Sequence, residues 1–275
     1  MTFELSLGFS PCPNDTFIFH ALVHGKVPLN NIQFRAPLLE DVETLNRWAL
    51  AGKLDVSKLS FHALGHVQEE YSMLESGAAL GRGCGPLLVA RGRPAKDPAD
   101  WCVAIPGTYT TAALLLKLFL PDLVHKKVMS FEKIMPAVAS GQVDAGVIIH
   151  ESRFTYKQHH LVCLQDLGEW WETETGLPIP LGCIAARRSL PDNILSEIDA
   201  AVHESLVRAR QDPAMCLPYI KKHARELDET VIAGHVGLYV NDFSVRLGDE
   251  GRKAVAELFR RGRDVGAFPS ASETT

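Results

Sequence analysis

The sequence has no apolar stretch long enough to cross a membrane. Its most apolar run, residues 112–120, is broken by Lys117, and a spanning helix needs about 20 apolar residues. Residues 1–5 show neither the basic region nor the long apolar segment of a secretory signal. These two absences predict a cytoplasmic protein with no membrane partner.

Closely spaced cysteine pairs are absent as well. The six cysteines are scattered along the chain, and none forms a C-x-x-C pair. His62 and His66 have the spacing of two metal ligands on a helix, but no acidic or cysteine residue completes such a site. We therefore expect reduced thiols and no bound metal.

Positive charge is not in excess, because 28 Lys and Arg stand against 33 Asp and Glu, a formal net charge of −5. A chain without a basic stripe is not expected to bind nucleic acid. Three motifs are also missing: a G-x-x-x-x-G-K-[ST] phosphate loop, a G-x-G-x-x-G segment after a strand, and a G-x-S-x-G elbow. Their absence argues against a nucleotide phosphate site, a nicotinamide or flavin cofactor, and a serine hydrolase.

What the sequence does contain is an alternation of short apolar strands with helices. A weak repeat relates residues 43–56 to residues 132–145. Each copy is typical of a helix, a glycine stop and a short buried strand, a unit that is also common in unrelated α/β proteins. The alternation predicts an α/β fold with mostly parallel sheets flanked by helices. The repeat favours two similar lobes around a cleft.

Two apolar segments are candidates for the connections between the lobes. The chain is expected to leave the first lobe near residues 88–92 and to return near residues 178–186. Lobe I would then comprise residues 1–90 and 182–275, and lobe II would be an insertion of residues 91–181. Within lobe I, residues 270–275 are expected to form a loose tail.

Ligands of open α/β sheets bind beyond the carboxyl ends of the strands. The first repeated strand is predicted at residues 54–56, so Lys58, Leu59 and Ser60 would follow its end. Lys58 can pair with a ligand carboxylate or with Asp55 at the surface. Its place beyond the strand favours the ligand.

The second repeated strand is predicted at residues 143–149 and is followed by His150 and Glu151. A histidine with an ordinary pKa is largely neutral at pH 7 and can accept a proton. The alternative is a histidine that caps the strand and bonds only to backbone. The strand-end position makes His150 the main candidate for a proton acceptor.

Two further segments could border a pocket. Thr110 and Thr111 begin a predicted helix, where free N–H groups and the helix dipole favour an anion and the hydroxyls add donors. Simple N-capping by threonine is the alternative. Residues 10–17 follow the first predicted strand and are either a rigid cap, with Asn14 and Asp15 capping the next helix, or a pocket wall.

Several of these segments together resemble one enzyme family. They are Ser10-Pro11-Cys12-Pro13-Asn14-Asp15-Thr16-Phe17, Lys58-Leu59-Ser60, Pro106-Gly107 with Thr110-Thr111-Ala112, Val147-Ile148-Ile149-His150-Glu151, and His235-Val236-Gly237-Leu238-Tyr239-Val240-Asn241-Asp242-Phe243-Ser244. In this order they resemble the 1,4-dihydroxy-6-naphthoate synthases of the futalosine route to menaquinone. The resemblance covers about residues 3–268.

The resemblance implies a type II periplasmic-binding-protein-like fold with two lobes around a cleft. It implies a lyase that converts cyclic dehypoxanthinylfutalosine, a small aromatic carboxylate, to 1,4-dihydroxy-6-naphthoate without a metal or other cofactor. The proton acceptor of the family corresponds to His150. Its substrate-contacting segments correspond to Lys58-Leu59-Ser60 and to Thr110-Thr111.

Three other functions are alternatives at this stage: chorismate dehydratase of the same pathway, a non-catalytic small-molecule binding protein, and a cytoplasmic small-molecule sensor domain. The absence of an evident helix-turn-helix segment argues against the sensor domain. His150-Glu151 favours the synthase. The sequence assigns no role to five residues near these motifs, and it does not give the oligomeric state, the degree of lobe closure or a second acid or base. The five residues are Asn14, Asp15, Glu151, Arg153 and Asp242.

Overall fold

Strands and helices alternate along most of the chain. The structure, a computed structural model, describes residues 2–224 and 228–268. The strands are β1 (Phe3–Leu5), β2 (Leu7–Phe9), β3 (Ile32–Phe34), β4 (Leu38–Leu39), β5 (Val56–Ser60), β6 (Tyr71–Met73), β7 (Ala79–Gly81), β8 (Leu87–Ala90), β9 (Val103–Ile105), β10 (Lys126–Val128), β11 (Ala145–Ile148), β12 (Val162–Asp166) and β13 (Ile179–Arg187).

The helices flank these strands and are mostly short. They are α1 (Pro13–Val23), α2 (Val42–Leu50), α3 (Phe61–His66), α4 (Thr111–Phe119), α5 (Phe131–Ala139), α6 (Ser152–Thr155), α7 (Leu167–Thr175), α8 (Asp192–Gln211), α9 (Leu217–His223), α10 (Glu229–Tyr239), α11 (Asp242–Val245) and α12 (Gly248–Asp264). Single 3-10 turns cover Pro98–Asp100, Tyr156–His159 and Pro213–Cys216. No helix among the described residues is both long enough and apolar enough to span a bilayer.

Two mixed sheets form the framework. One has the strand order β4-β2-β5-β13-β6, with β7 also paired to β13, and the other has the order β10-β9-β11-β8-β12. In the first sheet β13 runs antiparallel to β5, β6 and β7, and in the second β8 runs antiparallel to β11 and β12. The remaining described strands of each sheet are parallel to one another. The predicted α/β fold with mostly parallel sheets is therefore confirmed.

The two antiparallel strands are the ones that follow the crossings between the sheets. Strand β8 belongs to the five-stranded sheet and β13 to the six-stranded sheet. We therefore propose lobe boundaries just before Leu87 and just before Ile179, ahead of the expected boundaries at residues 90 and 181. The tail expected at residues 270–275 lies outside the described residues.

Both copies of the repeat fold as a helix, a glycine stop and a central strand. Gly52 (φ +60°) lies between α2 and β5, and Gly141 (φ +77°) lies between α5 and β11. Glycine adopts such a left-handed conformation without the steric cost of a Cβ atom. One prediction is wrong: β5 continues to Ser60, so Lys58 and Leu59 lie within the strand and not beyond it. The reason is that β13 pairs with β5 over its whole length, from Val56 to Ser60, whereas β2 pairs only with Val56 and Ser57.

Helix α5 packs directly on β11 at a glycine. A Cβ atom on Gly146 would lie 2.4 Å from Ile134 Cγ2 and 2.9 Å from Val138 Cγ2. Both neighbours are fully buried branched side chains, so they have little room to move. The close approach of helix and strand at this point fixes the end of β11, and with it the position of His150.

We predict that Gly146→Ala lowers the free energy of unfolding by about 1–3 kcal/mol, because the added methyl group overpacks this contact. Gly234→Ala is the matched control, since a Cβ atom at Gly234 would meet no described atom within 4 Å and alanine favours a helix by about 0.5–1 kcal/mol over glycine. Urea denaturation of both variants measures the difference. Equal stability of Gly146→Ala and the wild type would contradict the packing argument.

Candidate active site

One cavity brings together all six predicted site residues. It has a volume of about 100 Å³. The six residues on its wall are Lys58, Leu59, Ser60, Thr110, Thr111 and His150. Lys58, Leu59 and Ser60 come from the six-stranded sheet, whereas His150 follows a strand of the five-stranded sheet. The cavity therefore lies where the two sheets meet.

Lys58 forms a buried ion pair at the base of this cavity. Its Nζ lies 3.1 Å from Asp15 Oδ1, and the two side chains are only 6% and 2% exposed. Nζ also donates to the carbonyl oxygen of Gly77 at 3.2 Å. Lys58 does not pair with Asp55, whose carboxylate instead accepts hydrogen bonds from Ser6. The charge of Lys58 is thus held inside the protein, next to the cavity.

Segment 10–17 supplies the partner of Lys58 and so forms part of the cavity wall. Asp15 accepts hydrogen bonds from the Ser10 hydroxyl at 2.6 Å and from Asn14 Nδ2 at 2.8 Å. The N-cap residue of α1 is Cys12, whose side chain makes no capping bond. Asn14 and Asp15 therefore lie in the first turn of α1 and do not cap it, contrary to the cap interpretation. These polar contacts orient Asp15 toward Lys58.

The hydroxyls of Thr110 and Thr111 are used within the protein. Thr110 Oγ1 donates to the Gly107 carbonyl at 3.0 Å and accepts from the Ala113 N–H, which caps α4. Thr111 Oγ1 donates to the Leu181 carbonyl at 2.6 Å and accepts from the N–H of His62. Thr110 therefore caps α4, as the alternative interpretation predicted. Both threonines also lie on the cavity wall. The hydroxyls have no hydrogen left for a ligand.

Other donors at the same place are free. The backbone N–H groups of Thr111 and Ala112 open α4, and neither has an acceptor among the residues that the structure describes. Ser60 Oγ accepts from Asn46 Nδ2 at 3.0 Å, which leaves its own hydrogen available. Since helix N-termini favour anions, an anion site at α4 stays a prediction, with amide donors in place of the threonine hydroxyls.

Glu43, on α2, forms hydrogen bonds with the segment that leads into α4. Its carboxylate is 7% exposed and accepts hydrogen bonds from the N–H groups of Thr108 and Tyr109, both at 3.0 Å. Asn46, one turn further along α2, donates to the Tyr109 carbonyl at 3.2 Å. These contacts fix the start of α4 from across the cleft. In the sequence, Glu43 is recognisable only as the first residue of the repeat.

His150 has an unusual backbone conformation and a restrained side chain. Its φ of +55° lies in the left-handed region, which non-glycine residues adopt at some cost. The ring lies between Phe131, at a centroid distance of 5.2 Å, and His235, at 6.1 Å and nearly parallel. Nε2 is 3.8 Å from Cys12 Sγ. Neither ring nitrogen bonds to a backbone carbonyl of the described residues, so the strand-cap interpretation lacks its contact.

The surroundings of His150 keep its ring neutral. Burial lowers its pKa from the usual value near 6.5, because a charged imidazolium would lose its hydration. The carboxylates of Glu151 and Asp15 act in the opposite direction and Lys58 in the same direction as burial. A neutral imidazole at pH 7 is the form that accepts a proton.

Helix α10 supplies two residues that sequence analysis did not single out. His235 Nε2 donates to Asn14 Oδ1 at 2.9 Å, and burial lowers the pKa of His235 to about 3. Tyr239, one turn further along, lines the cavity. Both residues lie in the last segment of the family resemblance. No local sequence pattern, however, indicates that α10 packs beside His150, which lies more than 80 residues earlier in the chain.

The residues without an assigned role fall into two groups. Asn14 and Asp15 line the cavity. Arg153 instead binds the Gly85 carbonyl and Asp166, Asp242 has a 96% exposed side chain paired with Arg210, and Glu151 lines a neighbouring cavity of about 270 Å³. His150 borders both cavities.

The two histidines with metal-ligand spacing, His62 and His66, do have adjacent rings, 5.3 Å apart. His62 Nδ1 donates to the Thr110 carbonyl at 3.1 Å, and burial lowers its pKa to about 4. Within residues 2–224 and 228–268, no group of three His, Cys, Asp or Glu side chains could hold a metal ion. His62 serves instead as a support for the start of α4.

Comparison with known proteins identifies the family. A family model described as menaquinone biosynthesis matches residues 5–264. The chain belongs to this family. Two curated members are both named 1,4-dihydroxy-6-naphthoate synthase. The Thermus thermophilus protein is 52% identical, covering 97% of each chain, and the Streptomyces coelicolor protein is 45% identical, covering 97% of this chain and 95% of the relative.

Solved structures identify the fold of this family member. Protein AF1704 of Archaeoglobus fulgidus is similar with a TM-score of 0.89 and 35% identity, covering 96% of this chain and 98% of that one. The periplasmic aliphatic sulphonate binding protein SsuA of Escherichia coli is similar with a TM-score of 0.66 and 14% identity, covering 98% and 90% of the two chains. The predicted periplasmic-binding-protein-like fold is confirmed.

We predict that Asp15→Asn destabilises the protein by about 3–5 kcal/mol, because it leaves the Lys58 ammonium buried and unpaired. The double variant Lys58→Met with Asp15→Asn should lose less than the sum of the two single variants, since it removes both charges. Urea denaturation of the four proteins measures this coupling. Glu4→Gln, in an exposed pair with Arg35, is the control and should cost at most about 1 kcal/mol. Additive single effects would contradict a coupled buried pair.

Proposed function

We propose that the protein is a 1,4-dihydroxy-6-naphthoate synthase, a carbon–carbon lyase that acts on cyclic dehypoxanthinylfutalosine in menaquinone biosynthesis. The names of the two curated relatives support this activity. The observation that carries the proposal is the convergence of Lys58, Ser60, Thr111 and the neutral His150 on one cavity. A cytoplasmic location stays a prediction.

The carboxylate of the substrate binds at the start of α4. There the free N–H groups of Thr111 and Ala112, the α4 dipole and the Ser60 hydroxyl supply donors to an anion. Lys58 adds a positive potential at short range, although Asp15 compensates much of its charge. This arrangement orients the aromatic ring system along the apolar wall that includes Leu59 and Leu181.

His150 removes a proton from the bound substrate and so begins its fragmentation. The strand-end position on β11 and the rings of Phe131 and His235 hold the imidazole in one orientation. General base catalysis of this kind contributes roughly 10²–10⁴-fold. Positioning of the ring system in a cleft from which water is excluded supplies the rest. The proposal uses no metal or other cofactor.

We predict that His150→Ala lowers kcat for cyclic dehypoxanthinylfutalosine by at least roughly 10²-fold with folding intact. His160→Ala is a matched control, because His160 has the same φ of +55° but is exposed and outside the cavity. Formation of the naphthoate product measures both variants beside the wild type. An active wild type with an unimpaired His150→Ala would remove His150 from the mechanism. A folded wild type without turnover would refute the synthase, and turnover of chorismate would then identify the dehydratase.

We predict that kcat/KM falls on the acid side with an apparent pKa below 6.5. The base acts in its neutral form, which exists above its pKa, and burial moves that pKa of His150 downward. Activity should therefore be constant from about pH 7 upward and should decline only well below the ordinary histidine pKa of about 6.5. A pH profile of kcat/KM tests this. An acid limb at or above pH 6.5 would contradict a desolvated base.

A further inference from the structure

Tyr239 is a buried phenol without a hydrogen-bond partner on the wall of the cavity. The residue is 8% exposed, it lines the cavity together with His150, and its hydroxyl bonds to no atom of the described residues. Its hydroxyl oxygen is not one of the fully buried polar atoms without a partner, so it keeps contact with the open space of the cavity. The family resemblance places Tyr239 in a shared segment but gives it no role.

Tyr71 shows what a purely structural phenol in this protein does. It is 1% exposed, and its hydroxyl donates to the Leu54 carbonyl at 2.6 Å. This satisfied contact links β6 to the segment before β5, away from the cavity. Tyr239 is buried as well but has no such contact. Its hydroxyl is therefore available for a molecule that enters the cavity.

The ring of Tyr239 is held in a row with the proposed base. It packs on His235 at a centroid distance of 4.7 Å, and His235 in turn lies nearly parallel to His150 at 6.1 Å. The hydrogen bond from His235 to Asn14 fixes the middle member of this row. Small displacements of the phenol are thus restricted before a ligand arrives.

The electrostatic surroundings keep Tyr239 protonated. Burial raises the pKa of its phenol, Cys84, Cys12 and Glu151 add to that rise, and Arg153 opposes it. A phenol that does not ionise near pH 7 donates a hydrogen bond and cannot act as a base. Tyr239 and His150 therefore offer opposite functions, one a hydrogen donor and the other a proton acceptor.

We propose that Tyr239 is a further substrate-contacting residue, whose hydroxyl donates a hydrogen bond to the substrate oxygen that gains negative charge when His150 removes a proton. This inference rests on the proposed function. The proton stays on Tyr239, and no bond to it is made or broken. A donor that is already oriented stabilises developing charge more than water does. His235 is a positioning residue for both neighbours.

The test compares Tyr239→Phe with Tyr71→Phe in the naphthoate-forming assay and in thermal denaturation. Tyr239→Phe removes only the unpartnered hydroxyl, so kcat should fall roughly 10- to 10²-fold while the melting temperature stays unchanged or rises. Tyr71→Phe removes a satisfied hydroxyl, so the melting temperature should fall while kcat stays at the wild-type value. A structural role for Tyr239 would move both quantities together.

Each outcome of this experiment bears on the inference. A loss of kcat in Tyr239→Phe at undiminished melting temperature supports it. An active wild type with equal kcat in Tyr239→Phe overturns this inference alone, as does a Tyr239→Phe variant that loses activity only in proportion to a lowered melting temperature. A folded wild type without turnover overturns the proposed function, and this inference with it.

Discussion

Lys58 places a positive charge within a central strand, where an unpaired ammonium would cost several kcal/mol. Neighbouring groups offset that cost. Asp15 on α1 forms an ion pair with Lys58, and the Gly77 carbonyl accepts a hydrogen bond from its ammonium group. Ser10 and Asn14 donate hydrogen bonds to the Asp15 carboxylate and hold it in place. Asn14 in turn accepts from His235. One ion pair thus links the first helix, the central strand and α10, and each of these elements contributes to the same cavity.

The cavity depends equally on contacts between the two sheets. His150 follows a strand of the five-stranded sheet, but the groups against its ring include Cys12 and His235, which belong with the other sheet. Glu43 and Asn46 on α2 hold the start of α4 in the same way, from across the cleft. A small change in the relation of the sheets would therefore move His150 and the start of α4 together. This coupling explains why carboxylate and amide side chains are buried at the contact.

A general rule brought the predicted residues to one cavity, because ligand sites lie near the carboxyl ends of parallel strands. The rule indicated the segment that ends at Ser60 and the pair His150-Glu151, and Ser60 and His150 both line the cavity. The same reasoning misjudged the end of β5, because its extension to Ser60 depends on pairing with β13, more than 100 residues later. It also assigned ligand contacts to the hydroxyls of Thr110 and Thr111, whose acceptors include the distant Leu181.

The cavity-region residues that were not predicted from the sequence also depend on contacts with distant parts of the chain. Glu43 belongs to the repeat, and His235 and Tyr239 belong to the last shared segment, but these patterns give them no role. Their contacts come from residues that the fold brings beside them. Burial changes the pKa of a histidine and the pKa of a phenol in opposite directions by one physical cause. It penalises the charged form of every group, so it lowers the pKa of a histidine and raises that of a phenol. Burial therefore favours the uncharged form of both His150 and Tyr239 at the same pH.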